Sequence, residues 1–549
     1  MPRFAALDLG SNALRLRIVE AQASSLDRDQ LSLLPDASSP WREMVSLRAP
    51  VRLGSEVFVT GKLASSSIGL ACTALREFRQ AMDAAKVDVY RATATSAVRE
   101  ASNRATLVER AWREAGIELE VIEGIEEARL IQLAVVRRLG LADKRALLVD
   151  VGGGSTELTY LDKGRSVWAV SLPIGTVRLL EMYLRNVKAV DRARQKLLVE
   201  GIDRTLAEAV PTLRKLPFEI VVGTGGSVDT LSELCPAKGG HAGYPRAVDV
   251  PLMKTLLGRL FMMTPEQRRE TFGLRPDRAD TIVTAASVFL RVTEIFKAAA
   301  IVAPGVGLKE GILEEIVDKY FDRWDTESEA RSVIDGCIRL GKRYGFDQAH
   351  GELVASLAMS LFDDMAAFHG FGERERLLLR TAALLHDVGD YVSYGGHHKH
   401  SYYLIQHSDI MGLTPGERAI VANVARYHRK SPPDLSHPNF RDLDKESRTK
   451  VRGLSAILRI ADALDREHLG KVKNVRAEID GKGRKMNLFI TGDEERELEE
   501  WTVRAKSELL RDVFDLDLTI AGSATSTRPS AREPAAATAG PVSNRPNGR

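Results

Sequence analysis

An acidic residue followed by a glycine-rich turn lies near residue 150, in Asp150-Val151-Gly152-Gly153-Gly154-Ser155-Thr156-Glu157-Leu158. The apolar residues 147–149 precede it, so the turn is predicted to follow a strand. Glycines let backbone N–H groups point at one anion, because no Cβ blocks the approach. A carboxylate at the end of the strand is well placed to hold a hard cation through oxygen. The pattern indicates phosphoryl chemistry, although a single turn of this kind is equally typical of a purely structural connection.

A second copy of this layout and a third glycine-rich turn lie elsewhere in the chain. Asp8-Leu9-Gly10-Ser11-Asn12 also follows an apolar run, and Arg15 lies seven residues after Asp8, as Glu157 does after Asp150. The third turn is Gly223-Thr224-Gly225-Gly226-Ser227, after residues 220–222. Two such hairpins facing each other would form a cleft lined by two carboxylates and many amides. The predicted fold class is α/β, a duplicated actin/sugar-kinase-like (ribonuclease H-like) ATPase superfold.

The chain resembles the exopolyphosphatase/guanosine pentaphosphatase (Ppx/GppA) family across about residues 1–520. Besides the three turns, the segments that carry the resemblance are Ala94-Thr95-Ser96-Ala97-Val98-Arg99, Glu126-Glu127-Ala128-Arg129-Leu130 and Gly307-Leu308-Lys309-Glu310-Gly311, in the family's order and spacing. Two positions depart from the family's pattern. Ala13 stands where many members have Ser, and Lys309 stands where Arg is usual. Lysine keeps the charge but loses bidentate geometry.

The resemblance implies roles for residues of the cleft. Glu127 corresponds to the family's proposed catalytic base, Glu157 to the acid that helps orient water or metal, and Asp150 to the Mg²⁺-binding carboxylate. Asp8 is predicted as a further metal carboxylate, and Arg99 as a catalytic cation. Without the resemblance, Arg99 would be interpreted as a surface partner of Glu100 or a helix cap. The predicted phosphate-binding residues are Ser11, Asn12, Arg15, Gly153, Gly154, Ser155, Gly225, Gly226 and Ser227.

A second group of candidate ligands lies in the last third of the chain. Ten of the eleven histidines fall between His350 and His468, a clustering that indicates a metal site. His350, His386, Asp387 and Asp462 match the pattern of HD phosphohydrolases, and imidazole with carboxylate suits Mn, Fe or Zn. His400 and His428 are candidates for a second metal site. A different role stays open, since the HD-like domain of long Ppx/GppA members in some cases lacks these ligands and binds polyphosphate or dimerises.

These residues must be positioned by several domains. Alternating strand and helix patterns predict a first half of the phosphatase domain over residues 1–120 and a second half over 121–312. Helical periodicity predicts an all-α HD-type domain over residues 326–474, and the pattern of residues 475–521 predicts a small α+β cap. Residues 522–549, rich in Ala, Pro, Ser, Arg and Gly, are predicted to be disordered.

Composition excludes several classes of protein. The 549 residues contain no long apolar run, so no membrane-spanning helix is expected, and the N-terminus lacks a signal-peptide core. Three scattered cysteines form neither a disulfide framework nor a thiolate metal site, which points to the cytoplasm. The tail from residue 522 carries the whole formal net charge of +3, so a polyanion must be held by local basic patches. A homodimer is expected, with no membrane and no specific nucleic acid as partner.

The sequence favours an exopolyphosphatase that processively removes terminal phosphate from inorganic polyphosphate with Mg²⁺. A guanosine pentaphosphate 5′-phosphohydrolase is the main alternative, and guanosine penta- or tetraphosphate is a possible ligand. A non-catalytic polyphosphate or alarmone sensor and a kinase of the same superfold also stay open as functions. Because the chain contains no Gly-x-x-x-x-Gly-Lys-Ser/Thr motif, it is not a P-loop enzyme.

Overall fold

The computed structural model describes residues 1–21, 41–187, 189–207, 209–321, 326–480, 484–493 and 495–521. The predicted tail 522–549 lies outside these residues. One compact unit consists of Met1–Leu340 with His407–Arg418, and a second consists of Gly341–Gln406 with the described residues from Ala419 onward. The five-part division expected from the sequence stays a prediction. Within the described ranges, no helix has the length and apolar composition needed to cross a membrane.

The first sheet of the first unit has five strands in the order β3-β2-β1-β4-β5. Strand β1 pairs antiparallel with β2 and parallel with β4; β2–β3 is antiparallel and β4–β5 parallel. Six of the seven residues of β1 are buried, which explains why its sequence is an apolar run and not an alternation. The strands are β1 Arg3–Leu9, β2 Leu14–Glu20, β3 Arg42–Ala49, β4 Val89–Ala94 and β5 Glu120–Val121.

The second sheet repeats this topology with one extra strand. Its order is β10-β11-β9-β6-β7-β8, so β6 takes the place of β1 between an antiparallel hairpin partner and a parallel neighbour. The additional strand β10 pairs antiparallel with β11 at the edge. The strands are β6 Ala146–Val151, β7 Thr156–Asp162, β8 Arg165–Leu172, β9 Ile220–Thr224, β10 Ala247–Asp249 and β11 Ala300–Val302. The predicted α/β class and the duplication of its core are therefore observed.

Helices connect and cover these strands. The helices between residues 54 and 343 are Gly54–Thr60, Ser65–Ala84, Ser96–Glu100, Arg104–Ala115, Gly124–Leu139, Thr176–Tyr183, Arg192–Leu206, Val210–Leu213, Gly226–Leu234, Val250–Met262, Pro265–Phe272, Pro276–Phe296, Leu308–Tyr320 and Thr326–Arg343. One apolar cluster joins Phe4 of β1, Leu148 of β6 and Ile312 of the helix Leu308–Tyr320. Burial of such side chains stabilises the fold by about 1.5–3 kcal/mol each, so this cluster helps to hold β1 and β6 near one another.

The second unit is mainly helical and contains a three-stranded sheet of order β12-β13-β14. The strands are β12 Val472–Ile479, β13 Lys485–Gly492 and β14 Asp517–Ala521. The helices from residue 348 onward are Gln348–Asp364, Ala366–His369, Glu373–Leu385, His397–Gln406, Pro415–Arg426, Pro438–Arg441, Lys445–Ala463, Glu497–Lys506 and Glu508–Phe514. Helical periodicity thus identified this region correctly as a largely helical one.

Candidate functional site

A cavity of about 280 Å³ lies where strands β1 and β6 end. Open α/β sheets bind their ligands outside the carboxyl ends of their strands, so this position is typical of an active site. The predicted site residues that line it are Asp8, Ser11, Asn12, Arg15, Glu127, Asp150, Gly153, Ser155, Gly225, Gly226 and Ser227. Of the residues predicted for the cleft, three are not part of the cavity lining: Arg99, Gly154 and Glu157.

The two predicted hairpins close in the same way. The N–H of Gly10 donates to the carbonyl of Ala13 at 3.2 Å, and the N–H of Gly152 donates to the carbonyl of Ser155 at 3.0 Å. The strand register that follows places Asp8 opposite Arg15 and Asp150 opposite Glu157. Side chains directly opposite in an antiparallel pair share one face of the sheet. The seven-residue spacing seen in the sequence therefore sets both pairs.

Glycines allow the turns to approach one another closely. A Cβ on Gly153 would lie 2.8 Å from the Cβ of Ser11, and one on Gly154 would lie 2.0 Å from the Oγ of Ser96. Gly225 adopts a φ of +88°, which disfavours any residue with a side chain. The backbone of these turns therefore packs directly against its neighbours, and larger residues there would push the cavity walls apart.

Three carboxylates lie together, and two of them, Glu127 and Asp150, line the cavity. Oxygen atoms of Glu127, Asp150 and Glu157 lie within 4.8 Å of one another, and all three residues are buried. Within the part of the chain that the structure describes, Glu127 Oε2 and Glu157 Oε2 are buried and accept no hydrogen bond. Such oxygen atoms fit a hard divalent cation, which prefers oxygen ligands.

The pKa values of these carboxyl groups are raised. Burial raises the pKa of Asp150 to about 6, with the Thr224 hydroxyl opposing and Asp8 adding to the shift. Burial and the charge of Asp150 raise the pKa of Glu157 to about 7, against a hydrogen bond of 2.6 Å from the Ser171 hydroxyl. Burial and then the charge of Glu157 raise the pKa of Glu127 well above its usual range. Acidic groups arranged in this way require a proton or a cation among them.

Two adjacent glutamates at the start of the helix Gly124–Leu139 have different surroundings. Glu127 lines the cavity, and its Oε2 lies 4.0 Å from Nη1 of Arg99. Arg99 also donates to the carbonyl of Ile122 at 2.7 Å, so it braces the strand end beside Glu127. Glu126 instead accepts two hydrogen bonds from Arg129, at 2.7 and 2.8 Å. The sequence motif therefore combines one cavity-facing acid with one structural ion pair.

Positive charge also lines the cavity. Besides Arg15, the cationic lining residues are Arg48, Arg275, Arg278 and Lys309. Arg278 is almost fully buried and donates to Ser227 Oγ, whereas its Nε makes no hydrogen bond within the described residues. Burial, together with the nearby Arg15, lowers the pKa of Arg278 to about 10. A buried guanidinium with an unused donor is well suited to receive an anion.

Sequence reasoning identified Lys309 only as a departure from the family pattern and did not identify Arg48, Arg275 or Arg278. Arg48 lies on the edge strand β3, where a basic residue is ordinary. Arg275 and Arg278 lie at the start of the helix Pro276–Phe296 and carry no motif. Only the folding of these elements brings their charges to one cavity.

The predicted histidine cluster also assembles, within the second unit. Ligand atoms of His350, His386 and Asp462 lie within 4.8 Å of one another, as do those of His386, Asp387 and His428. The four predicted metal ligands are thus together. His397, and not the predicted His400, lies with His428 at this cluster: its Nε2 is 3.3 Å from that of His428. His397 is buried at the start of its helix. The Cβ of His400 instead lies against Gly389, where an added Cβ would be 2.8 Å from it.

The buried carboxylates of this histidine cluster also require a cation or protons beside them. Burial lowers the pKa of His386, but Asp387 and Asp462 outweigh burial and raise it to about 9. Burial lowers the pKa of His428 to about 3. A metal ion and a proton would therefore compete for the ring of His386. Lys506 forms an ion pair with Asp462.

Comparisons of the sequence with known proteins identify relatives among phosphatases. The model of the Ppx/GppA phosphatase family matches residues 37–320, and that of Ppx/GppA phosphatase, domain III, matches residues 334–508. A protein of Vibrio vulnificus named guanosine-5'-triphosphate,3'-diphosphate pyrophosphatase is 26% identical over 430 residues, covering 78% of this chain and 81% of that protein. A protein of the same name from Vibrio cholerae serotype O1 is 25% identical over 517 residues, covering 94% and 95%.

Among solved structures, the chain is similar to an exopolyphosphatase from Cytophaga hutchinsonii, with 26% sequence identity and a TM-score of 0.51. The similarity covers 58% of this chain and 98% of the Cytophaga chain. The family models together cover most of the unit that carries the cavity and most of the unit that carries the histidines. The resemblance inferred from the sequence is confirmed: the chain belongs to the Ppx/GppA phosphatase family.

Proposed function

We propose that this chain is a divalent-metal-dependent phosphohydrolase that removes the terminal phosphate from a polyphosphorylated substrate. The observation that carries this proposal is the buried trio Glu127, Asp150 and Glu157, two of which line a cavity that is also lined by four arginines. Hydrolysis of a phosphoanhydride needs a positioned water, neutralised phosphate oxygens and a screened leaving group, and these residues have the chemistry for each.

In this proposal, Asp150 and Glu157 hold Mg²⁺ together with Asp8, and the ion neutralises charge on the substrate when bound. Asp8 is already paired with Arg15 at 3.0 Å, so it contributes less than the other two. Glu127 orients and deprotonates the attacking water, because its carboxylate lines the cavity beside Asp150 and its raised pKa makes it a stronger base than an exposed carboxylate. Arg99 acts as a positioning residue for Glu127.

The phosphate chain is proposed to lie along the glycine-rich turns and the cationic residues that line the cavity. The predicted anion-binding turns at Ser11, Ser155 and Ser227 border the same cavity. Arg278, held by Ser227, offers its unused Nε donor. The duplicated strand order also supports the actin/sugar-kinase-like superfold as the framework of this unit.

Two substrates fit this chemistry. The names of the Vibrio relatives favour guanosine pentaphosphate, and this support is stronger than that for inorganic polyphosphate, which the sequence placed first. Polyphosphate is the second candidate. None of the described residues lining the cavity is an aromatic residue that could stack on a guanine base, and five of them are cationic. The name of the Cytophaga structure also favours it.

The deciding experiment measures phosphate release from guanosine pentaphosphate, long-chain polyphosphate and tripolyphosphate side by side, with Mg²⁺. We expect release from guanosine pentaphosphate, and a higher kcat/KM on polyphosphate would make polyphosphate the main substrate. Transfer of phosphate to an added acceptor instead of to water would identify a kinase. Binding of these ligands without any release would identify a sensor and contradict the proposed function.

For the histidine cluster we propose an HD-type metal site formed by His350, His386, Asp387 and Asp462. Support comes from the mutual distances of their ligand atoms. Imidazole nitrogens with carboxylate oxygens favour Mn, Fe or Zn over Mg. This site is separate in sequence and in ligand type from the phosphohydrolase cavity.

A further inference from the structure

The start of one helix holds the carbonyl groups of the turn at residues 152–155 (the 152–155 turn). Four backbone N–H groups of residues 175–178 donate to three of these carbonyls at 2.8–3.2 Å. The pairs are Gly175 with Gly154, Thr176 with Gly152, and both Val177 and Arg178 with Gly153. The helix Thr176–Tyr183 begins here, and the first N–H groups of a helix need acceptors from outside it. The turn supplies those acceptors.

The N–H groups of the 152–155 turn have a different environment. That of Gly152 closes the hairpin by donating to the carbonyl of Ser155. Among the described residues, the N–H groups of Gly153, Gly154 and Ser155 donate no hydrogen bond. Gly153 and Ser155 line the cavity. Successive N–H groups without an internal acceptor form a concavity that binds anions, so these three are available to a phosphate.

Each held carbonyl fixes the direction of the next N–H group. In a planar trans peptide, the C=O of one residue and the N–H of the following residue point in opposite directions. The bonds to the carbonyls of Gly152 and Gly153 therefore orient the N–H groups of Gly153 and Gly154. In the same way, a donor that holds the carbonyl of Gly154 orients the N–H of Ser155.

The side chain of Arg178 provides the shorter of two bonds to that last carbonyl. Its Nε donates to the carbonyl of Gly154 at 2.7 Å, whereas the N–H of Gly175 donates to it at 3.2 Å. The Arg178 side chain is 12% exposed, and Arg178 is not one of the described residues that line the cavity. It can therefore affect a bound phosphate only through the turn.

Two residues near the first sheet hold the Arg178 guanidinium in place. Its central carbon lies 4.0 Å from the ring centre of Phe58, and its Nη2 donates to Glu100. Phe58 lies in the helix Gly54–Thr60, and Glu100 ends the helix Ser96–Glu100. A planar guanidinium can stack on a ring and donate to two acceptors in fixed directions at the same time. Arginine suits this position because lysine offers no such fork.

We propose that Arg178 is a positioning residue that holds the 152–155 turn with its free N–H groups toward the phosphate of the substrate. The inference rests on the proposed function and adds to it a residue that lies outside the cavity and outside the sequence motifs. Donors that are already oriented stabilise charge on a phosphate, because they need not turn when it arrives. Without Arg178, the peptide between Gly154 and Ser155 is held only by the longer bond from Gly175.

The test measures the binding of inorganic pyrophosphate to the full chain by calorimetry. Arg178→Met keeps a long side chain beside Phe58 and removes every donor. We expect its Kd for pyrophosphate to rise roughly 10–100-fold, the contribution of one hydrogen bond to a charged group. Arg178→Lys keeps the charge but loses the fork, so its Kd should lie between those of the wild type and Arg178→Met. With tripolyphosphate as substrate, kcat/KM should fall by similar factors.

Two controls separate the orientation of the turn from a general disturbance. Glu100→Gln leaves the bond from Arg178 to Gly154 in place, so its Kd for pyrophosphate should stay near that of the wild type. Asp150 and Glu157 lie on the strands that flank the turn. Their Mg²⁺ affinity, measured by calorimetry without substrate, should be unchanged in Arg178→Met. Thermal unfolding confirms that each variant is folded, and Arg178→Lys carries the test if Arg178→Met is not.

Several results would overturn the proposal. One is a Kd for pyrophosphate equal to that of the wild type in a folded Arg178→Met chain, or in Arg178→Lys if only that variant folds. Another is an equal loss of Mg²⁺ affinity, because the whole hairpin would then be disturbed. Failure of the phosphohydrolase function would appear differently, as pyrophosphate binding by the wild type without phosphate release from any substrate.

Discussion

Asp150 on strand β6 is paired in register with Glu157 on strand β7. The duplicated hairpin of the first sheet has Asp8 paired with Arg15 at the same position. One hairpin therefore places two acids side by side on one face of its sheet, whereas the other places an acid beside the base that neutralises it, with a salt bridge of 3.0 Å.

The adjacent glutamates give a matched test of the proposed base. Glu127→Gln should lower kcat by roughly 10²–10⁴-fold, the usual contribution of a general base, while substrate binding is retained because Gln keeps the size and removes a negative charge. Glu126→Gln is the control, since that side chain pairs with Arg129. Equal kcat values for Glu127→Gln and the wild type in steady-state assays would remove Glu127 from this role.

The metal assignment predicts a change in Mg²⁺ dependence. Asp150→Asn removes a charged oxygen ligand from the trio, so the Mg²⁺ concentration for half-maximal activity should rise by about tenfold or more. Activity should be partly restored at high Mg²⁺ if Glu157 still binds the ion. A Mg²⁺ titration of phosphate release measures this, and an unchanged midpoint with full activity would exclude Asp150 as a ligand.

The raised pKa values predict that Mg²⁺ binding releases protons. Below the pKa of Glu157, about 7, and that of Asp150, about 6, the metal-free carboxyl groups are increasingly protonated. A metal ion must displace these protons, so Mg²⁺ affinity should fall as pH decreases from about 7.5 to 5.5. Calorimetry in buffers of different ionisation enthalpy measures the released protons. Glu157→Gln should reduce their number, and affinity independent of pH would contradict the prediction.

Arg278 should contribute to substrate binding. Its buried Nε is an unused donor, and a hydrogen bond to a charged group contributes about 1.5–3 kcal/mol. Arg278→Gln should therefore raise KM by roughly 10–100-fold, with a smaller effect on kcat. Arg185→Gln, an exposed residue paired with Glu181, is the control. A KM equal to that of the wild type would place the phosphate chain elsewhere in the cavity.

A buried ion-pair network predicts acid sensitivity of the first unit. Glu315 contacts Arg91, Arg129 and Lys319, and although burial alone would raise its pKa, these cations lower it from 4.5 to about 2. A lowered pKa contributes stability above the unfolded value, and this stability is lost as pH falls from about 4.5 towards 2. At pH 7, Glu315→Gln should cost about 1.5–3 kcal/mol, because it removes a charged hydrogen-bond acceptor from Arg91 and Arg129, both of which keep their pairs with Glu126.

Thermal unfolding at several pH values tests this relationship. The difference in Tm between the wild type and Glu315→Gln should be largest near pH 7 and should shrink as pH falls below about 4.5. Glu109→Gln serves as the exposed control, since its pair with Arg113 lies on the surface and contributes about 0.5 kcal/mol or less. A Tm difference that does not change with pH would show that the Glu315 charge is not the cause.

Local sequence was enough to predict the hairpins and their acids. Glycine turns after apolar runs, with an acid and its partner seven residues apart, dictate local backbone geometry, so the pairing of Asp150 with Glu157 was predictable from spacing, whereas their roles came from the family resemblance. The His386-Asp387 pair was found for the same reason, because adjacent residues stay together in any fold. Local spacing also identified the α/β class and the helical region that follows it.

Long-range packing determined which residues far apart in the chain meet. Arg48 and Arg278 reach one cavity from an edge strand and a helix start, and neither position carries a local signal. His397 replaced the predicted His400 because helix placement, not sequence spacing, sets which ring faces Asp387. Chain connectivity constrains near neighbours, whereas distant side chains meet only where the packed cores place their backbones.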